Sequence, residues 1–307
     1  MFSSCTNHRP PRVGGTRRGA FVLVMVLSLL LVCALCLAGL ARRSLESGEQ
    51  VATAQTDLQR RWGVLTCVRT YLPMAQDLLE SESTKLPAAA QTWPLPSSVA
   101  AEFDLGELHF SVLLADEDAK VNLNAVCRDD SDGPRTVAAI VEQSAAGVDG
   151  LVVHVQPLPS ESVVNRASLA FLSWGQVFEP TDSARPGEFA ARLREATRDI
   201  TCWGSGRLNI QRASDEAIRL VCTNKVAPDI VGKLIARRRE PGVTGLSAVL
   251  NQLALRDGDR GALERLLTDH SSRYSLWILV QSPRRTWATL AVGSGSSAQA
   301  AHETFTW

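Results

Sequence analysis

The chain has 307 residues, with 32 Lys and Arg against 32 Asp and Glu, so its formal charge at neutral pH is zero. That balance offers no general attraction for nucleic acid or for an acidic surface. Seven cysteines in so long a chain do not make a disulfide framework, and outside the apolar N-terminal segment no Cys or His pair has zinc-ligand spacing.

The first element is an apolar run from Ala20 to Ala41, preceded by Arg17, Arg18 and Gly19 and closed by Arg42 and Arg43. As a helix it spans about 33 Å, enough for a bilayer core of about 30 Å. No acidic residue precedes Glu46, whereas Arg9, Arg12, Arg17 and Arg18 precede the run, which keeps the N-terminus cytoplasmic and sends the rest across the membrane. The run is too long for a cleaved secretory signal and ends in arginines rather than at a small-x-small site. A lipoprotein signal fails as well, because Val32 and Leu35, not small residues, precede Cys33 and Cys36.

An uncleaved anchor explains the length and the flanking charges. The junction Arg17-Arg18-Gly19-Ala20-Phe21 also resembles the site cut by prepilin peptidases, with Gly19, Ala20 and Phe21 as the processing site and the cut after Gly19 or Ala20. Pilin-like proteins mostly carry glutamate at the fifth mature position. Here that position is Val24, or Met25 for the later cut. One pilin-like subunit lacks the glutamate as a rule, the K-type minor pseudopilin of type II secretion systems. A carboxylate in hydrocarbon costs several kcal/mol unless paired, so a subunit without one need not dock beneath another.

Beyond Arg43, Val51, Leu58, Trp62, Leu65 and Val68 recur at helical steps, which predicts an amphipathic continuation of the first helix to residue 85. A Pro- and Ala-rich linker is expected over residues 86–101. The run Leu108–Ala115, the acidic turn Asp116–Asp118 and the short apolar stretch after it read as a hairpin, with the acids solvated. Asn122 and Asn124 then suit the satisfaction of backbone groups where a strand ends. A related phrase, Leu208-Asn209-Ile210, leads to Ser214 as an N-cap, with Asp215 and Glu216 in the following first turn. The two Asn phrases resemble motifs of the K-type family, which makes Asn122, Asn124 and Asn209 the family-motif residues. The stretch from Ala167 resembles a family helix followed by a glycine turn. Residues 226–253 read as two short helices similar to a helix-hairpin-helix, and Tyr274–Gly293 as two strands around a Ser-Pro turn.

The resemblance covers most of residues 17–293. It implies an α+β fold, a pilin-like long N-terminal transmembrane helix packed on a small antiparallel sheet, with a mainly α-helical inserted domain. The expected organisation is a cytoplasmic leader (1–19), a transmembrane helix (20–41), its periplasmic continuation (42–85), a pseudopilin α/β domain (102–126 and 273–293), an inserted helical domain (127–272) and a flexible tail (294–307). The implied function is that of a non-enzymatic minor pseudopilin at the tip of the type II secretion pseudopilus, held in the cell inner membrane with its C-terminal domain periplasmic. Implied partners are the I- and J-type minor pseudopilins, the major pseudopilin, the prepilin peptidase and the inner-membrane assembly platform. Calcium is implied by the family alone, its ligands unknown in this chain; no other cofactor is expected.

Two alternatives stay open at this level, a generic single-pass anchored domain and a membrane-anchored DNA-binding protein of an uptake system. In the second, Lys233, Arg237, Arg238 and Arg239 would meet a phosphate backbone. Against it, Val226, Ala227 and Pro228 stand where a Gly-x-Gly hairpin would offer amides, and proline removes a donor. The sequence contains no Gly-x-Ser-x-Gly and no nucleophilic cysteine motif, and His109 and His154 alternate with apolar neighbours as solvent-facing strand positions; no catalytic residue is assigned. A Cys202–Cys222 bridge in an oxidising compartment is left open.

Overall fold

The computed structural model describes residues 16–85, 92–129, 132–158, 170–181, 186–223, 225–240, 242–243, 245–283, 285–294 and 303–306, with the side chains of 16–20, 186–187 and 303–306 outside the description. The chain divides into two compact units, Met1–Leu58 and Gln59–Trp307. Helix α1 runs from Thr16 to Tyr71 without interruption. Among the described residues it is the one helix long and apolar enough to cross a membrane.

In the second unit, α1 ends just before Pro73 and a separate helix α2 follows at Ala75–Thr84. A single continuation to residue 85 was expected. Proline at 73 removes a backbone donor and disfavours helix in the residue before it, so the chain turns there. Strand β1 (Ser98–Leu105) starts inside the expected linker and pairs with β2 (Leu108–Asp116) across a tight turn at Gly106, whose φ is +63°.

The chain then leaves the sheet at Asp116 and returns at its register partner Tyr274 in β9 (Arg273–Gln281). Strand β10 (Thr286–Ser294) pairs with β9, in keeping with the expected two strands around a Ser-Pro turn. Strand β11 (Glu303–Thr306) pairs with β10, so the stretch expected to be a flexible tail carries a strand. The five-stranded sheet β1-β2-β9-β10-β11 is antiparallel throughout. With these strands and the helices around them the fold is α+β.

Between β2 and β9 lie α3 (Leu123–Asp129), α4 (Gly133–Ser144), α5 (Pro186–Ala196), α6 (Asp215–Cys222), α7 (Pro228–Arg238), α8 (Leu246–Gln252) and α9 (Asp257–Leu266). Three two-stranded pairs stitch them: β3 (Val121–Asn122) with β6 (Ile200–Thr201), β4 (Leu151–Val153) with β5 (Phe178–Pro180), and β7 (Leu208–Asn209) with β8 (Leu267–Thr268). The expected hairpin after β2 is therefore not formed, because β3 pairs in parallel with β6 rather than turning back on β2. The helix expected in the segment from Ala167 is absent from its described part, where Trp174–Gln176 make a 3-10 turn before β5; residues 167–169 lie outside the described residues.

Strand alternation places two sets of side chains on opposite faces of the sheet. Phe110, Val112, Leu114, Leu276, Ile278 and Val280 form one core with Cys67, Val68, Leu72 and Leu79 of α1 and α2. Trp277, Leu290 and Val292 belong to a second core shared with α3 to α9. The stripe read as packed on a domain is only partly so. Val68 is buried, whereas Val51, Leu58 and Trp62 are exposed, and the sheet-facing positions of α1 are Gly63, Val64, Cys67 and Val68.

Gly63 is the point of closest approach. A Cβ there would overlap the ring of Phe110. Phe110 is fully buried and stacked on Phe103 at 4.9 Å, so its ring has little room to withdraw. Alanine gains about 1 kcal/mol over glycine in an ordinary helix, while overpacking a filled core costs about 1–3 kcal/mol. Gly63→Ala is thus expected to lower stability, by about 1–2 kcal/mol. Gly232→Ala in α7, where nothing lies within 4 Å of the added carbon, is expected to leave stability unchanged or raise it. Denaturant unfolding of the detergent-solubilised chain, followed by tryptophan fluorescence, compares the two.

Candidate functional site

Two features stand apart from ordinary packing. In the first unit, every side chain of α1 from Phe21 to Leu40 is exposed, and none of these residues is charged. A helix apolar all round belongs in a core or in a bilayer, and none of the described residues covers this one. Val24 and Met25 are both about three-fifths exposed, and the Val24 carbonyl accepts from Ser28 Oγ at 2.8 Å. The backbone of Gly19 and Ala20 is helical, their side chains lie outside the description, and Phe21 is exposed.

The second feature is the acidic run at the end of β2. Expected to be solvated, Asp116, Glu117 and Asp118 are instead 0–1 % exposed. Buried carboxylates persist only when donors replace water, and here they do. Asp116 caps the 3-10 turn Glu117–Ala119, accepting from Asp118 N at 2.9 Å, and also accepts from Ser271 Oγ at 2.5 Å. Glu117 accepts from Lys120 Nζ at 2.6 Å and from the hydroxyls of Thr201 and Ser275. Asp118 accepts from Ser205 N at 2.5 Å on one oxygen and from Ser272 N, Ser272 Oγ and Arg273 N on the other. Apart from Asp118 N and Lys120, these donors are distant in sequence, and no local pattern could pair them.

The three asparagines expected to be motif residues, Asn122, Asn124 and Asn209, are all engaged in buried hydrogen bonds. Asn122 donates to Gly204 O and accepts from Ala125 N at 3.0 Å. Asn124 donates to Phe171 O at 2.9 Å and Cys202 O at 2.7 Å and accepts from Phe171 N at 2.8 Å. Asn209 donates to Ser271 Oγ at 2.7 Å and accepts from Gln211 N at 3.0 Å. Each is buried; Asn122 and Asn209 close the ends of β3 and β7, and Asn124, in the first turn of α3, ties that helix to the segments at Phe171 and Cys202. Asn209 also donates to Asp116 at 3.5 Å, while Asn124 clamps the segment before the 3-10 turn at Trp174.

Arg212, unremarked in the sequence, extends the network. Its guanidinium lies 4.0 Å from Asp116 and donates to Leu79 O, Ser83 Oγ and Pro96 O, tying α2 to the insertion. Ser214 caps α6 as expected, accepting from Ala217 N at 2.9 Å.

The basic run of α7 does not form a single patch. Arg238 is buried and donates to Ile210 O, Ala213 O and Asp215, while Arg239 shares Asp215. Arg237 pairs with Glu240 and Lys233 with Asp229. A phosphate-binding role that counts Arg238 is thereby corrected, since that side chain holds the loop before α6.

Among the described residues no group of three or more His, Cys, Asp or Glu could hold a metal ion. The carboxylates of the buried run already accept from hydroxyls, amides and Lys120, so the residues present do not fit calcium. Cys202 and Cys222 are buried free thiols with no bridge between them, and burial raises the pKa of both. His109 and His154 stand partly exposed beside Asp104 and Glu179.

No family model matches this chain, and no curated protein matches its sequence. Among solved structures, a chain in the GspK-GspI-GspJ complex of the type 2 secretion system of enterotoxigenic Escherichia coli is similar at 13% identity and a TM-score of 0.49. The match covers 84% of this chain and 99% of that one.

Burial, with help from the nearby Asp118 charge, raises the Asp116 pKa from 3.8 to about 6, against the opposing pull of Ser271 and Arg212. The folded state therefore binds this proton more tightly than the unfolded state does. The contribution of Asp116 to stability is greatest below pH 4 and declines as pH rises through 4 to 6. Asp116→Asn fixes the neutral state, so between those limits the native chain should lose about 3 kcal/mol relative to the variant. Unfolding curves of both proteins at several pH values measure that slope. For Asn124, the Ala variant is expected to cost about 3 kcal/mol by orphaning three backbone groups, and the Asp variant more, because a carboxylate would face the carbonyls of Phe171 and Cys202. The same unfolding assay ranks the two.

Proposed function

We propose that this protein is a K-type minor pseudopilin of a type II secretion system, acting by assembly and without catalysis. The observation that carries the reading is the N-terminal unit, an exposed helix apolar on every side, entered through Arg17-Arg18-Gly19-Ala20-Phe21 and lacking an acid at Val24. Prepilin peptidase would cut after Gly19 or Ala20 on the cytoplasmic side and leave the apolar helix on the mature chain. Until extraction that helix holds the protein in the inner membrane, with Gln59–Trp307 in the periplasm.

The absence of an acid at the fifth position supports a terminal place in the filament. A buried carboxylate there would need a cationic partner, the role a neighbouring N-terminus can fill. With Val24 there is no such demand, and the subunit needs no neighbour above it. In this reading the protein caps the pseudopilus, meets the I- and J-type minor pseudopilins and the major pseudopilin below, and helps to begin assembly on the inner-membrane platform. The organisation into an α/β part (102–126 and 273–293) and a helical insertion (127–272) supports a head too bulky for the shaft. The buried asparagines Asn122, Asn124 and Asn209 hold that head in one shape.

The reading predicts a new N-terminus. In cells containing a prepilin peptidase, mass spectrometry of the membrane-extracted protein should find a chain beginning at Ala20 or Phe21, and Gly19→Leu should restore the full-length species. An intact Met1 terminus in such cells would leave an ordinary anchored domain and sink the proposal.

A further inference from the structure

A groove of about 610 Å³ lies where α5 crosses the sheet beside the start of β1. Its floor is apolar, made by Leu113, Ala115 and the indole of Trp277. Its wall is basic: Lys120, Arg192, Arg194 and Arg198 line it, against the single acid Glu195. Two of the four cations are committed elsewhere, since Lys120 pairs with Glu117 and Arg192 with Glu188. Arg194 and Arg198 are exposed, and among the described residues neither has an ion-pair partner. Basic residues in the last turn of a helix suit its dipole, which accounts for their sign. It does not account for an apolar floor opening beside them.

The rim adds a second kind of recognition. Ser97 and Ser98 line the groove, and Ser98 begins β1, the terminal strand of the sheet. The outer edge of β1 has no strand neighbour among the described residues, and this eight-residue strand contains neither Pro nor Lys; its exposed acids Glu102 and Asp104 lie at the end away from Ser98, so the stretch open to an acidic segment is the start of the strand. A segment leaving the groove along that edge would find backbone donors and acceptors. An inorganic anion would use only the arginines, whereas an extended polypeptide uses cations, floor and edge together.

We propose that this groove binds an extended acidic segment of a partner protein, its carboxylates on Arg194 and Arg198 and an apolar side chain on Leu113 and Trp277. This assignment stands on the groove's own chemistry and holds whether or not the chain is a pseudopilin.

The test uses the full chain in detergent and a phage-displayed library of random dodecapeptides, selected in parallel on the native protein and on the double variant Arg194→Glu, Arg198→Glu. Both arginines are exposed, so the variant should unfold at the native denaturant midpoint, which is checked first. Peptides enriched on the native protein should carry net negative charge with interspersed apolar residues, and synthetic copies should bind the variant about tenfold more weakly or worse. Copies with Lys in place of Asp and Glu should reverse that preference, a result that a damaged fold could not give. Enrichment without acidic residues, or equal binding to both proteins, would overturn the proposal. So would displacement of the peptides by millimolar inorganic phosphate or phosphatidylglycerol vesicles, either of which would mark a general anion site.

Discussion

Three consecutive carboxylates turned inward at the end of β2 hold the second unit together. Strands β2 and β9 are neighbours in the sheet, yet the whole helical insertion intervenes between Asp116 and Tyr274. Closing so long an excursion costs conformational entropy that grows slowly with its length, and the two ends must also be fixed at strand spacing. Asp118 does this directly, accepting from Ser272 and Arg273 immediately before β9 continues. Glu117 reaches Ser275 within β9 and Thr201 within the insertion, and Asp116 reaches Ser271. Charge-assisted hydrogen bonds of this kind are strong, and orphaning one in a dry site is costly. The run therefore fixes both the register of the sheet and the orientation of the insertion.

What surrounds the run follows from it. With β2 ended by an inward turn, β3 is delivered beside β6 rather than back onto β2, and Asn122 and Asn124 can then reach Gly204, Cys202 and Phe171. The return path through Asn209 brings Ser271 to Asp116 and places Arg212 between α2 and the insertion. One apolar core can then run from Trp277 and Leu290 in the sheet through α4, α6 and α8. The raised pKa of Asp116 shows the cost of the arrangement, since desolvation outweighs its donors.

Much of this was legible in the residues. The long helix, the β9–β10 pair, the α7–α8 helices and the Ser214 cap follow from periodicity and local chemistry, which act within a few residues. The acidic turn was misjudged because charge in sequence signals solvent by default, and only donors remote in the chain reverse that. The same blindness affected Arg238, whose basic neighbours suggested a surface face while its partners, Ile210 O and Ala213 O, lie in another loop. The amphipathic stripe matches the covered face only in part, at Val68, because apolar residues alone do not say which face is covered. Gly63, with no side chain, marks the close contact with Phe110 that decides it. Strand β11 was missed because its four residues, Glu303–Thr306, are too short a run to carry a readable pattern, and only pairing with β10 defines it.

The two units solve opposite solvation problems. Gln59–Trp307 buries charge and supplies every carboxylate of the run with donors, as a protein in water must. The described part of the other unit exposes apolar side chains in all directions from Phe21 to Leu40, which water would penalise and a bilayer would not. A helix of that composition needs no specific partner to remain in lipid, but it gains nothing from leaving. If assembly draws it from the membrane into a filament, the hydrocarbon it loses must be replaced by neighbouring apolar helices of equal extent. An acid at Val24 would add an ionic requirement to that exchange, and a valine leaves it a matter of packing alone. Under the proposed function, such a chain would need packing on one side only, the condition met at the end of a filament.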